Sequence, residues 1–397
     1  MLPPASPDPA LFERLRSILD ASGPIAAIDQ LCDHLRETGE YQALFYALLM
    51  RKRVELGVSP FPTGPAAELP TQVHATYEEA IRHAGRTVGQ LYLDRDDIFK
   101  AWGFFRMLGE PEPVKQALEK YQPGPDDDTY GLVDIAWHQG VHPTRGFDLI
   151  LDRNGICSAI TMVGGADLSR NPDVRDYCIK RLVRALHSQL KERITNDFDS
   201  RGVHIPKEAT IGQMLTGQED LFADDVYHID VSHLNSVVQF ACQLPPCEEL
   251  ALARELCEYG ERLSPNLRGD HHPPFENGYA DYKVYLDIVA GRDADEGLAH
   301  FQKKLPTAAE AGDTFPAEVL VNLLVRIDRL PDAVAVAQQY LSNTEGRELS
   351  CPSLTELARR AANYPALADA AKTNGDPVTY LAGLIAGQRS LTVCGLD

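Results

Sequence analysis

The amino-acid sequence predicts a mainly α-helical chain, an α-solenoid of antiparallel helical hairpins whose central insert carries a β-hairpin over 147–162. Three observations lead there. Amphipathic segments with apolar residues at helical spacing follow one another, separated by short Gly- and Pro-containing turns. Two C-terminal stretches, 288–305 and 324–341, align without a gap and place the small residues Gly297 and Ala333 36 positions apart. A single Asn154-Gly155 pair sits between β-rich runs, the strongest short hairpin signal.

Taken in order, the first helix begins near Pro9 and sets Leu11, Leu15, Ile18 and Leu19 on one face, until Gly23-Pro24 stops it. Residues 25–37 and 41–56 form a helical pair across the turn Thr38-Gly39-Glu40. Residues 57–70 are rich in Pro and Gly and read as a linker. Helices resume over 72–90 and 95–108. The turn Leu108-Gly109-Glu110-Pro111 precedes a helix that ends near Tyr121. After the break at 123–128 comes a short helix to Gln139, then the expected hairpin. Its one face holds Phe147, Leu149, Leu151, Ile160 and Met162; its other face holds Asp148, Asp152, Cys157 and Thr161. A long helix over 173–196 and an irregular stretch over 199–222 complete the insert. Helices then return at 231–243, 247–263, 276–290, 294–304, 315–327, 330–342, 353–362, 365–372 and 376–387. The predicted organisation is therefore 1–125, helical hairpins; 126–222, a central module; and 223–397, helical repeats.

A repeat period near 36 marks stacked helical units. The pattern of a first helix, a short turn and a small residue opening the second helix resembles the tetratricopeptide family. Leu35-Arg36-Glu37-Thr38-Gly39-Glu40-Tyr41-Gln42-Ala43-Leu44 carries the same signature, and Met107-Leu108-Gly109-Glu110 a weaker form. The likeness covers about half the chain. It implies a curved stack whose concave face binds a peptide or protein partner; such stacks also scaffold enzymes, so the fold does not settle function.

Composition narrows the function. Lys and Arg number 38 against 58 Asp and Glu, a net charge of −20, and there is no basic run. Such a surface repels phosphate backbones and anionic lipid heads, so neither nucleic acid nor membrane is an expected partner. The N-terminal residues lack the basic and apolar regions of a secretory leader, and no apolar run is long enough to span a bilayer. Eight scattered cysteines without a C-x-x-C pair suit reduced thiols in the cytoplasm. Cys157, opposite Asp152 in the expected hairpin, reads as structural.

One constellation points to chemistry instead. Tyr227-His228-Ile229-Asp230-Val231-Ser232-His233 gives H-x-D-x-x-H at a helix start, and Asp270-His271-His272 precedes a later helix. Alternate helices of a hairpin stack run parallel, so both N-termini lie on one rim. His228, Asp230, His233, His271 and His272 could then meet around a divalent metal such as Zn²⁺. Metal-bound water is acidified enough to attack at neutral pH, which makes a metal-dependent hydrolase the alternative to an interaction protein. His138 and His142 are candidate additions to that rim. For an interaction protein, Tyr282 and Tyr285, at helical spacing, are candidates to line the partner groove.

Overall fold

The computed structural model describes residues 9–63, 69–124, 126–206, 208–342 and 349–394. Most of the first ten residues, whose four prolines suggest a loose arm, the middle of the 57–70 linker and Pro125 of the 123–128 break lie outside them. The protein is mainly helical, and no strand occurs among the described residues. No helix among them is long and apolar enough to cross a membrane. The chain divides into two compact units, one ending at Asn154 and the other beginning at Gly155. That division falls inside the stretch expected to form a separate central module.

In the first unit, α1 (Pro9–Thr38), α2 (Tyr41–Glu55), α3 (His74–Leu93), α4 (Ile98–Leu108) and α5 (Glu112–Lys120) each pack on the next. Gly39, at φ 77°, makes the turn between α1 and α2. The α4–α5 turn was legible in its residues. Asp97 caps α4 by accepting from the Lys100 N–H at 3.1 Å. Gly109 adopts the left-handed conformation that closes the helix, and Pro111 blocks its continuation. Helices α3 and α4 approach closely because α3 lacks side chains there. A Cβ on Gly89 would lie 2.7 Å from the Phe105 ring. The short α6 (Tyr130–Val133) leads into a single π-helical turn over Asp134–His138.

The expected β-hairpin is the main correction. Residues 147–162 lie in α7 (Pro143–Gly164), which breaks at Gly155 with φ 79° and ψ 178°. A type I′ hairpin needs positive φ at both turn residues, but Asn154 does not have it. One left-handed glycine ends a helix as readily as it turns a strand pair. Gly23 breaks α1 with nearly the same angles, φ 84° and ψ 178°. The first half of α7 is anchored by arginines on the end of α5. Arg145 donates to the carbonyls of Leu118 (3.2 Å) and Tyr121, and Arg153 to that of Gly124. Cations at a helix C-terminus satisfy its orphan carbonyls.

The second unit starts with the last turns of α7 and continues through α8 (Pro172–Ser200), α9 (Ile211–Leu215), α10 (Val231–Ala241), α11 (Glu249–Gly260), α12 (Pro265–Arg268) and α13 (Tyr279–Val289). It ends with α14 (Ala294–Gln302), α15 (Leu305–Glu310), α16 (Phe315–Arg326), α17 (Leu330–Tyr340), α18 (Leu354–Arg360), α19 (Tyr364–Thr373) and α20 (Pro377–Cys394). The long α8 lies against α10 and α11, burying Cys178, Leu182, Leu186, Leu190 and Ile194 at helical spacing. From α16 onwards each helix packs on its sequence neighbour. Gly297 meets the expectation of a close approach, since a Cβ there would come within 2.5 Å of Ile288. Its counterpart Ala333 is fully buried.

Candidate functional site

The rim expected from the histidines does not assemble. Among the described residues, no group of three or more His, Cys, Asp or Glu side chains is placed to hold a metal ion. Several candidate ligands have other tasks. The Tyr259 hydroxyl accepts from the His228 backbone N–H at 2.7 Å and lies 3.2 Å from Nδ1 of the same residue. Having accepted there, the hydroxyl donates its own proton to Nδ1, which leaves Nε2–H facing Asp197 Oδ2 at 3.4 Å. The ring packs edge-on to Phe222 and Tyr259. Burial pushes the His228 pKa down, and the pull of Asp197 does not restore it. Burial pushes the Tyr259 hydroxyl up to about 12.

Asp230 is an N-cap. Its Oδ1 accepts from the Ser232 N–H at 2.8 Å and the Ser232 hydroxyl at 2.6 Å. His233, half-buried, sits in the first turn behind it. His271 bonds the Arg268 carbonyl at 3.0 Å through Nε2 and lies edge-on to Tyr279 and Tyr282, while His272 is exposed. His138 is exposed at the end of the π turn. His142 contacts Thr144 Oγ1 at 3.2 Å through Nδ1.

Tyr282 and Tyr285 are core residues, only 6% and 5% exposed, and line no groove. Phe275 stacks on Tyr282 with centroids 4.4 Å apart, and Phe301 meets Tyr285 edge-on. The Tyr285 hydroxyl accepts from Arg326 at 3.0 Å.

Sequence reasoning missed a polar knot beside these tyrosines. Asp281 is fully buried on α13 and accepts from His300 Nε2 (2.7 Å), Lys304 Nζ (2.8 Å) and the Asn277 N–H (2.8 Å). Burial raises its pKa, but these donors together outweigh it and hold the carboxyl below the usual range. Lys304 also donates to the Pro274 carbonyl at 2.6 Å, so the knot ties down the loop before α13.

The surface best suited to a partner lies in the first unit, on α4. One face of this helix, Ile98, Ala101, Phe104 and Phe105, is buried. The other exposes Phe99 (64%) and Met107 (55%), with Trp102 half-buried and Arg106 exposed between them. Tyr130, 81% exposed, precedes Gly131, where an added Cβ would come within 3.0 Å of the Phe99 ring. The Trp102 indole N–H donates to Gln139 Oε1 at 2.7 Å, and the Gln139 amide donates to Asp134 at 2.7 Å, which fixes the tryptophan ring. Beneath it runs a groove of about 470 Å³ lined by Trp102, Phe105, Arg106, Pro111, Lys115 and Gln139. Glu110, on the groove wall, is held by Arg86 through two hydrogen bonds, at 2.7 and 2.9 Å. Arg106 forms no ion pair among the described residues and has only a long contact to Gln139 at 3.4 Å. The sequence signal was there: Ile98–Leu108 is apolar on both faces of the helix, more than one buried face requires.

No protein-family model, curated protein or solved structure matches this chain.

Proposed function

We propose that this chain is a helical-repeat interaction protein, similar in its hairpin stacking to tetratricopeptide proteins, that binds a protein or peptide partner on the exposed face of α4. The observation that carries this is the exposed face of α4, with Phe99 and Met107 open and Trp102 and Arg106 lining one groove. Aromatic residues, Met and Arg are the residue types enriched at protein interfaces, and Trp, Tyr and Arg dominate their energetic centres. An apolar partner side chain fills the groove, and a partner carboxylate meets Arg106, which has none of its own. The net charge of −20 argues against a nucleic-acid partner. The buried cysteines Cys32 and Cys257, outside any disulfide, suit a reducing cytoplasm. The metal-dependent hydrolase reading is the less favoured one, since among the described residues no three of its candidate ligands come together.

The test compares proteins captured by the wild-type chain with those captured by Phe99→Ala/Tyr130→Ala. Both residues are exposed, so the variant's melting temperature is expected to match wild type. Truncating interface aromatics commonly costs about 2 kcal/mol or more each, enough to lower occupancy well over tenfold. A partner lost selectively from the variant is the expected outcome. Equal recovery of every specific partner by both proteins would remove this surface from consideration.

A further inference from the structure

Gly103 is a glycine that the packing of the free chain does not explain. Every other described glycine either takes a positive φ or has an atom within 4 Å of where a Cβ would lie. Gly103 does neither. It is exposed inside α4, and a Cβ there would meet nothing within 4 Å among the described residues. Glycine inside a helix lowers its stability relative to alanine, so one without an internal use points to a requirement outside the free chain.

The neighbours of Gly103 describe that requirement. Phe99, Trp102, Gly103 and Arg106 stand at i, i+3, i+4 and i+7 along α4. Four residues at this spacing form the hole that receives one side chain of a facing helix. Every helix has such quartets, but here the floor is bare backbone and the walls are large. Phe99 is open to solvent, and Gln139 fixes the Trp102 ring. The next quartet, Gly103, Arg106, Met107 and Glu110, shares the same floor and adds Met107 as a second exposed apolar wall. With no side chain at Gly103, a second helix can come nearer than the spacing of about 8–10 Å usual between packed helices. An extended peptide would bind by adding to a strand edge, and no strand occurs among the described residues.

Charge beside the notch selects among helices. Arg106 forms no ion pair among the described residues and only a long contact to Gln139. Lys115, on the same groove, meets Glu112 at 4.0 Å, while Glu110 is already held by Arg86. A carboxylate on the incoming helix supplies what Arg106 lacks.

We infer that α4 receives an amphipathic α-helix of its partner, which seats one large apolar side chain over Gly103 and brings an Asp or Glu, about one helical turn away, to Arg106; this rests on the reading of α4 as the partner face.

The probe is a library of random peptides about five helical turns long, displayed on phage and selected on the full chain. Recovered peptides are expected to carry apolar residues at helical spacing with an acidic residue within one turn, and to gain helical circular dichroism on binding. Their affinity is expected to fall about tenfold or more for Gly103→Leu and for Arg106→Glu. Replacing the acidic residue of the peptide by Lys is expected to restore binding to Arg106→Glu. Leucine is the better helix former and the space over Gly103 is open, so Gly103→Leu is expected to melt no lower than wild type. Gly103→Ala, which adds only a Cβ, is expected to show the same loss of binding in smaller measure. Peptides that stay non-helical when bound, or that lose Phe99→Ala/Tyr130→Ala but bind both Gly103 variants as wild type, overturn the helical partner and leave the α4 surface standing. Recovery of no peptide, or of peptides indifferent to Phe99→Ala/Tyr130→Ala, removes the surface itself and the helical partner with it.

Discussion

At the residue scale, the informative side chains are polar groups that burial has committed to fixed partners. His228 illustrates the consequence for stability. Its pKa in the folded chain lies below the value near 6.5 of an exposed histidine, because burial disfavours the imidazolium. In the window between those values the unfolded chain binds the proton and the folded chain does not. This stability is fully present above about pH 6.5 and is lost as pH falls through the folded value. The expected result is a fall in urea-unfolding free energy as pH drops from about 7 to about 5, and a shallower fall in His228→Gln. Parallel pH profiles for the two proteins would show that His228 takes up its proton alike in the folded and unfolded chains, and would refute the shift. Asp281 acts with the same sign at lower pH. Its carboxyl is held below the ordinary range, so its contribution is present above the unfolded value and disappears as acid titrates the folded one.

At the element scale, glycines decide where helices stop and how closely they meet. Gly155 combines φ 79° with ψ 178°, a region open almost only to glycine. Gly155→Ala is therefore expected to destabilise the fold by about 1–3 kcal/mol, seen as a lower urea midpoint. Asn154→Ala, on the helical side of the break, is expected to change much less. Comparable losses in both variants would place the requirement in the pair and revive a turn in which Asn154 takes part. Gly297 serves packing instead: there is no room for a side chain beside Ile288, although the backbone is helical.

At the scale of the whole molecule, net charge and salt bear on the proposed partner contact. Partner binding at Arg106 gains from a carboxylate and is expected to weaken as ionic strength rises. Binding that strengthens with salt would mean that repulsion from a net charge of −20 outweighs that pairing.

The sequence by itself determined the helices and several of their turns. Apolar spacing marked α8, α10, α11, α13, α14 and the run from α16 to α19 to within a few residues, and Gly109-Glu110-Pro111 marked the α4–α5 turn, while the short α15 went unmarked. Those signals are local: period, caps and breakers act within a few residues of where they are read. The tertiary structure decided what lay between elements. Asn154-Gly155 is compatible with a strand turn and with a helix end, and only the packing around Phe147, Leu149 and Ala159 selected the second. Tyr282 and Tyr285 have the spacing of a lining face, but Phe275, Phe301 and Arg326 cover them. His228 has the residue type of a ligand, but Tyr259 and Asp197, distant in sequence, fix its tautomer and orientation. A side chain's neighbours across the fold determine whether it is core, cap or surface, and the exposure of Phe99, Tyr130 and Val378 became visible only once those neighbours were in place.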